Sequence, residues 1–333
     1  MPPLLQAIDG HASASLPAAC CAQAAPAKLR PMRMSHSLAP LLALLPAACV
    51  SVREPVPAPG VPFTLSYGLV FVELDLPGTG PVLALLDTGA SASAIDTASA
   101  QDLPSLETVE VVGTTGTVPA DIVVLEGLRL GTEALPPLRA TRRDLSGLLA
   151  PEGRSVQMIL GSDALLGRVV ELDFIDGQLR FSPPEDADPS AGVPMLLDQG
   201  IPAIAGTLGG VDVWLRIDTG ASLFETPNVY VNIPPSVWRA LLDRHPDLVP
   251  SVHFQGTGAG GEAVDLPVAA VPSGRIGARD LGRVFVIVQP AAGYFAAPDA
   301  KGFVSNNFLR KCGRVALDYA HGRFRAGRFN PAE

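Results

Sequence analysis

Charge is scarce in this sequence: only 17% of its 333 residues are Asp, Glu, Lys or Arg, and the 33 acidic side chains outnumber the 24 basic ones. A formal charge of −9 without any dense run of Lys or Arg leaves nothing to follow a phosphate backbone, which excludes nucleic acid as a partner. Long apolar runs are missing too. None reaches the roughly 18 residues that a spanning helix needs, so the folded body is not expected to cross a membrane. Cysteine is rare, and Cys20, Cys21 and Cys49 all precede residue 50. Cys312 therefore stands alone in the remainder, which leaves no internal disulfide there; with no His near it in sequence, it reads as a packed thiol. The histidines His245, His253 and His321 are scattered and show no metal-ligand spacing, so no metal site is expected. No G-x-S-x-G elbow suggests a serine hydrolase. A G-x-G-x-x-G string does occur at Gly256 to Gly261, but Glu262 to Val268 continues as a strand containing Pro267, and dinucleotide sites require a helix there.

What the chain has in quantity is glycine and proline, 33 of each, against 47% apolar residues and only 5% aromatic ones. Such a composition supplies a core and many tight turns, and it predicts short strands: an all-β fold. The N-terminal stretch 1–48 reads as an extension plus export signal, with Lys28, Arg30 and Arg33 ahead of the apolar run Leu38 to Leu45. The small residues Ala47 and Ala48 before Cys49 resemble a bacterial lipobox, and Pro46 departs from it. Plain signal cleavage and lipidation at Cys49 both fit, and either sends the protein to a bacterial envelope, as a periplasmic chain or a membrane-anchored lipoprotein. Met32 and Met34 are more natural starts than Met1 for such a signal. A Pro-rich linker, 49–61, follows.

Beyond it the sequence repeats. Leu69 to Leu76 turns at Pro77-Gly78-Thr79-Gly80, and Val82 to Leu86 runs into Asp87-Thr88-Gly89-Ala90-Ser91. Later, Ala203 to Leu208 turns at Gly209-Gly210, and Val211 to Ile217 runs into Asp218-Thr219-Gly220-Ala221-Ser222. Similarity resumes at Met158-Ile159-Leu160-Gly161 and Phe303-Val304-Ser305, each followed by a Gly-Arg-Val strand. Two matched ends in one order indicate duplication, with one half over 62–183, a linker over 184–198 and a second half over 199–330. Between the ends, each half carries a short helix candidate (Ile95 to Asp102; Ser236 to Arg244) and a Gly-rich hairpin, around Gly113 and Gly116 in the first, Gly256 and Gly258 in the second. Sequence does not say which hairpin serves as a lid.

These residues resemble the pepsin and retropepsin clan of aspartic peptidases, which carry an Asp-Thr-Gly at a strand end in each of two lobes and, later, two apolar residues and a Gly. The resemblance spans most of Pro62 to Phe329. It implies two β-barrel lobes with a cleft between them, Asp87 and Asp218 as a catalytic pair, and hydrolysis of a peptide or protein substrate without cofactor or covalent intermediate. A turn after an apolar strand lifts a carboxylate out of the core, and Gly89 and Gly220 allow a close approach that a side chain would hinder. Two carboxylates brought together cannot both ionise easily and share one proton, an effect for which this clan is itself the standard example. The resemblance further implies that Thr88 and Thr219 hydrogen-bond across to the opposite loop, and it puts Ser91 and Ser222 at substrate-touching positions, where local capping is the competing role. The hairpin glycines Gly113, Gly116, Gly256 and Gly258 become substrate-binding candidates.

Three departures qualify the likeness. Ala90 and Ala221 stand where pepsins usually carry a hydroxyl, which implies a less acidic optimum. No Tyr occurs between Val109 and Val124, so the pepsin flap tyrosine is missing. Ser305 replaces the second Gly. A catalytically silent peptide-binding or scaffold lipoprotein is the alternative reading. One chain supplies both aspartates, so a monomer suffices for the site.

Overall fold

The computed structural model describes residues 60–223, 226, 228–257 and 263–330. The expected signal segment, Cys49, most of the 49–61 linker and Gly258 lie outside these. Most described elements are strands. β1 (Val61–Ser66), β2 (Leu69–Leu76) and β3 (Gly80–Leu86) pair antiparallel in succession. The first connection turns at Tyr67 (φ 53°) and Gly68 (φ 71°), the second at Gly78 and Gly80, left-handed conformations that glycine adopts without strain. Then follow β4 (Ala94–Asp96), β5 (Glu107–Val112), β6 (Thr117–Leu125), β7 (Arg129–Leu130), β8 (Glu133–Ala134), β9 (Leu138–Arg143), β10 (Met158–Leu160), β11 (Val169–Asp173) and β12 (Gln178–Ser182). β10 runs parallel to β3 and antiparallel to β4, and β9 runs parallel to β4 and antiparallel to β6.

The second half contains β13 (Val193–Asp198), β14 (Ile201–Leu208), β15 (Val211–Ile217), β16 (Tyr230–Ile233), helix α1 (Pro235–Arg244), β17 (Val252–Thr257), β18 (Ala263–Ile276), β19 (Arg279–Val288), β20 (Gly302–Val304), helix α2 (Asn306–Leu309), β21 (Arg314–Asp318) and β22 (Arg323–Ala326). Here β20 is parallel to β15 and antiparallel to β16, while β16 is parallel to β19. That is the pairing that β10, β3, β4 and β9 make in the first half. Helix α1 opens with Pro235, whose fixed φ suits a first helical turn, and buries Leu241. A six-stranded antiparallel sheet in the order β1, β12, β11, β21, β22, β13 draws strands from both halves.

Two expectations need correction. Ile95 to Asp102 is not a helix: Ala94–Asp96 is a strand held between β9 and β10, and only Ala98–Ala100 makes a 3₁₀ turn. Pairing on both edges outweighs the weak helical preference of that stretch. The stretch 184–198 is not linker throughout, because Val193–Asp198 forms β13, which pairs with β14 and buries Met195.

The main core cluster among the described residues spans both halves and includes Val70, Val72, Leu86 and Leu160 together with Ile204, Leu215, Ile217 and Val304, with two smaller clusters beside it. Burial at about 25 cal/mol per Å² of apolar surface drives this assembly. At the centre of the shared sheet the fully buried Asp173 accepts N–H bonds from Ile175 and Asp176 at 3.1 Å each, and pairs with Arg180 (3.1 Å) and Arg314 (2.7 Å). Burial opposes its charge, but these donors outweigh it and hold the carboxyl below its ordinary 3.8. A depressed folded pKa means stability that is present above 3.8 and lost as pH falls through the lower folded value. Asp173→Asn is therefore predicted to lower the urea-unfolding free energy at pH 7 by about 2–3 kcal/mol. The gap to the unmodified protein should close as pH drops below 3.8; a gap independent of pH would contradict this.

Candidate active site

Strands β3 and β15 end on the two Asp-Thr-Gly turns, and each turn is anchored by three hydrogen bonds within its own half. The N–H of Asp87 donates to Leu160 O and that of Asp218 to Val304 O, both at 2.9 Å. Next, Ser162 N–H donates to Ala90 O (2.9 Å) and Asn306 N–H to Ala221 O (3.2 Å). Finally, Ser162 Oγ donates to Thr88 O and Asn306 Nδ2 to Thr219 O, each at 2.8 Å. Ser162 and Asn306 were not singled out from sequence. Their signal was there, since each follows the matched positions Gly161 and Ser305, but the unlike side chains hid a shared job.

Ser305 also finds its explanation. A Cβ at Gly161 would lie 2.8 Å from the backbone carbon of Ala92, so only glycine fits. Ser305 is buried without such a clash and donates its hydroxyl to Asn307 Oδ1 at 3.2 Å. Asn307 in turn holds Leu223 by both its N–H (2.7 Å) and its C=O (2.8 Å). In the first half Asp163 does comparable work, accepting from Ser93 Oγ at 2.7 Å.

The two turns meet through their threonines, both fully buried. Thr88 Oγ1 donates to Ile217 O (2.6 Å) and accepts from Thr219 N–H (3.1 Å), while Thr219 Oγ1 donates to Leu86 O (2.7 Å) and accepts from Thr88 N–H (3.0 Å). Each hydroxyl thus uses its donor and an acceptor on the opposite turn. The crossing forces each glycine against the other turn's carboxyl. A Cβ on Gly89 would lie 2.5 Å from Asp218 Cγ, and one on Gly220 would lie 2.2 Å from Asp87 Cγ.

Asp87 Oδ1 accepts from the N–H groups of Gly89 (2.9 Å) and Ala90 (3.1 Å). Burial raises its pKa above 3.8, while those bonds and the positive charge of Arg143 restrain the rise. Asp218 is pushed well above 3.8, first by burial and then by the charge of Asp87. The backbone N–H groups of Gly220 and Ala221 restrain that rise only in part. The pair therefore holds a proton over a pH range where isolated carboxyls have lost theirs.

The remaining candidates are distributed unevenly. Ser91 is exposed in the loop after Gly89. Ser222 lies beneath the β1–β2 turn, where a Cβ on Gly68 would meet its hydroxyl at 2.0 Å, and it points at Leu223 O. That arrangement favours local capping over substrate contact. Gly113 and Gly116 close the β5–β6 tip (N–H to O 2.8 Å), and Gly113 O accepts Tyr294 N–H at 2.9 Å from the second half. Gly293 packs directly beneath this tip. Gly256 lies inside β17, opposite Val264 and against Leu266, rather than at a tip. Cys312 is buried and its thiol is raised to about 11 by that burial, so it is inert.

Residues 72–164 match the family described as Aspartyl protease; this span, 93 of the 333 residues, contains Asp87 and the Gly161 segment but not Asp218. Among solved structures the chain is similar to a retropepsin-like aspartic protease from Rickettsia conorii, with 15% identity and a TM-score of 0.26, covering 36% of this chain and 77% of that one. A comparison with curated proteins gives no match.

The raised carboxyls carry a stability cost whose sign is fixed. A raised folded pKa contributes stability that is complete below 3.8 and is lost as pH rises through the folded value. Asp218→Asn removes that loss and keeps an acceptor for the loop N–H groups, so the variant is predicted to melt higher than the unmodified protein at pH 7 and no higher at pH 3.8 or below. Calorimetry across that range checks it, and a lower melting point at pH 7 would overturn the account of the pair.

Proposed function

We propose that this protein is an aspartic endopeptidase of two homologous lobes, arisen by duplication, in which Asp87 and Asp218 activate water against a peptide bond. The observation that carries the reading is the reciprocal Thr88 and Thr219 crossing, which sets two carboxyls of unequal acidity face to face. The aspartyl protease match over 72–164 supports the reaction class independently. The less perturbed Asp87 takes a proton from water, whose oxygen attacks the scissile carbonyl, and the protonated Asp218 donates to the carbonyl oxygen. The proton held by Asp87 then passes to the departing amine as the C–N bond breaks, while a hydroxyl of the tetrahedral intermediate returns its proton to Asp218 and restores the pair. The substrate is an extended segment of a peptide or protein, held by backbone hydrogen bonds across the cleft. The β5–β6 hairpin is the lid, because its tip already touches Gly293 and Tyr294. The chain acts as a monomer in a bacterial envelope, exported and either periplasmic or lipid-anchored through Cys49.

A silent peptide-binding lipoprotein shares this geometry, and one variant pair separates the two. Asp87→Asn and Asp218→Asn are each expected to cut peptide cleavage by at least about a thousandfold while leaving the fold intact, read by mass spectrometry of a digested peptide library. Retained peptide binding with no cleavage by the unmodified protein would favour the scaffold. The pH profile follows from the pair. Activity needs one proton on two carboxyls, and both pKa values are displaced upward from 3.8, so the rate should peak above that value. A maximum below about pH 3 would contradict the assignment.

A further inference from the structure

Strand β9 ends in two arginines with opposite fates. Leu138 and Ala140 enter the core, and Arg142, on the same side of the strand, is fully engaged. Its guanidinium pairs with Asp121 at 2.8 Å and donates to Ala100 O (3.2 Å) and Leu103 O (2.9 Å). Arg143 takes the other side, the one from which Thr141 Oγ1 approaches Ser93 O (3.5 Å) in the loop following Asp87. Its backbone is fixed there, since Arg143 pairs with Asp96 of β4 and its carbonyl accepts Thr97 N–H at 3.0 Å. The Arg143 side chain makes no hydrogen bond or ion pair with any described residue, and its Nε is cut off from solvent without a partner. The charge nonetheless reaches Asp87.

A half-buried guanidinium that feels the charge of Asp87 but makes no ion pair with it is costly, because it has given up water and gained no acceptor. The cost is reasonable if the acceptor arrives with the substrate. We propose that Arg143 is a specificity residue of the active site that receives a carboxylate of the bound peptide close to the scissile bond. This rests on the peptidase reading above. The planar guanidinium matches a carboxylate in a two-point contact, and the shielded setting strengthens that contact over the same pair in water. The carboxylate belongs either to an Asp or Glu side chain or to the free C-terminus of a short peptide. Among the described residues Asp87 is the acidic group whose charge reaches Arg143, and it forms no ion pair with the guanidinium, which leaves those donors open to a second carboxylate.

The test uses a peptide library in which Asp or Glu is exchanged for Asn, Gln or Lys at each position around the cleaved bond, with free and amidated C-termini. At one position the unmodified protein is expected to prefer the acid over its amide by about ten- to a hundredfold in kcat/KM. Arg143→Gln shifts the rate on every peptide through Asp87 but should erase the acid-to-amide ratio itself, and Arg143→Glu should turn it toward Lys. A preference that survives amidation assigns the carboxylate to a side chain, and one lost on amidation assigns it to the terminus; both support the proposal. No acidic preference at any position, or a ratio unchanged in Arg143→Gln, overturns it. The second result would leave Arg143 as a charge that only tunes Asp87. If the folded protein cleaves nothing, the peptidase reading fails separately, and calorimetric binding of the same peptides decides the subsite: acid-selective binding lost in Arg143→Gln supports it, and non-selective or absent binding overturns it.

Discussion

Everything at the centre of this molecule depends on four hydrogen bonds that Thr88 and Thr219 make across the two turns, two with each other and one each to Ile217 O and Leu86 O. Each hydroxyl is fully buried, and each satisfies one donor and one acceptor on a turn that lies 131 residues away in the chain. Loss of either partner would leave buried polar groups unpaired at about 1–3 kcal/mol apiece. The crossing is therefore a strong constraint on how the two turns meet. It also explains the glycines, because at that separation neither turn has room for a Cβ beside the other's carboxyl. The supports behind it, Ser162 on one side and Asn306 on the other, hold the threonine carbonyls and keep the crossing in register.

The constraint has an electrostatic consequence. Two carboxyls pressed together and shielded from water cannot both be charged, so the fold keeps a proton at the site at the expense of its own stability above the ordinary carboxyl range. Stability is recovered elsewhere, and Asp173 is the clearest case. It is as buried as any charge among the described residues, yet Arg180, Arg314 and two backbone donors hold it ionised. Two buried aspartate systems thus move in opposite directions, and the difference lies in whether cations and donors surround the carboxyl or another carboxyl faces it.

Much of this was legible from residue order. Alternating apolar runs broken by Gly turns gave β2, β3, β14 and β15 with their hairpins, and the repeated Asp-Thr-Gly-Ala-Ser located both loops. The helix expected over Ser236 to Arg244 is present as Pro235–Arg244, the longest helix among the described residues. Other features depend on contacts that local pattern does not encode. Ala94–Asp96 becomes a strand only because β9 and β10 flank it. β13 was hidden in a Pro- and Asp-rich stretch whose strand character comes from pairing with β14 and β22. Arg143 lies 56 positions beyond Asp87 in sequence, outside any motif, and only the return of β9 alongside β4 brings its charge to the loop. The same holds for Tyr294, which meets the β5–β6 tip through a loop of the opposite half.

The most direct measurement is a single-turnover digestion of one susceptible peptide in heavy-oxygen water, with the new carboxyl weighed in the first cycle. Direct attack by water held between Asp87 and Asp218 predicts that the first product already carries one solvent oxygen and that no peptide fragment stays bound to the enzyme. A first product without the label, or a covalent peptide adduct on either aspartate, would contradict the central claim.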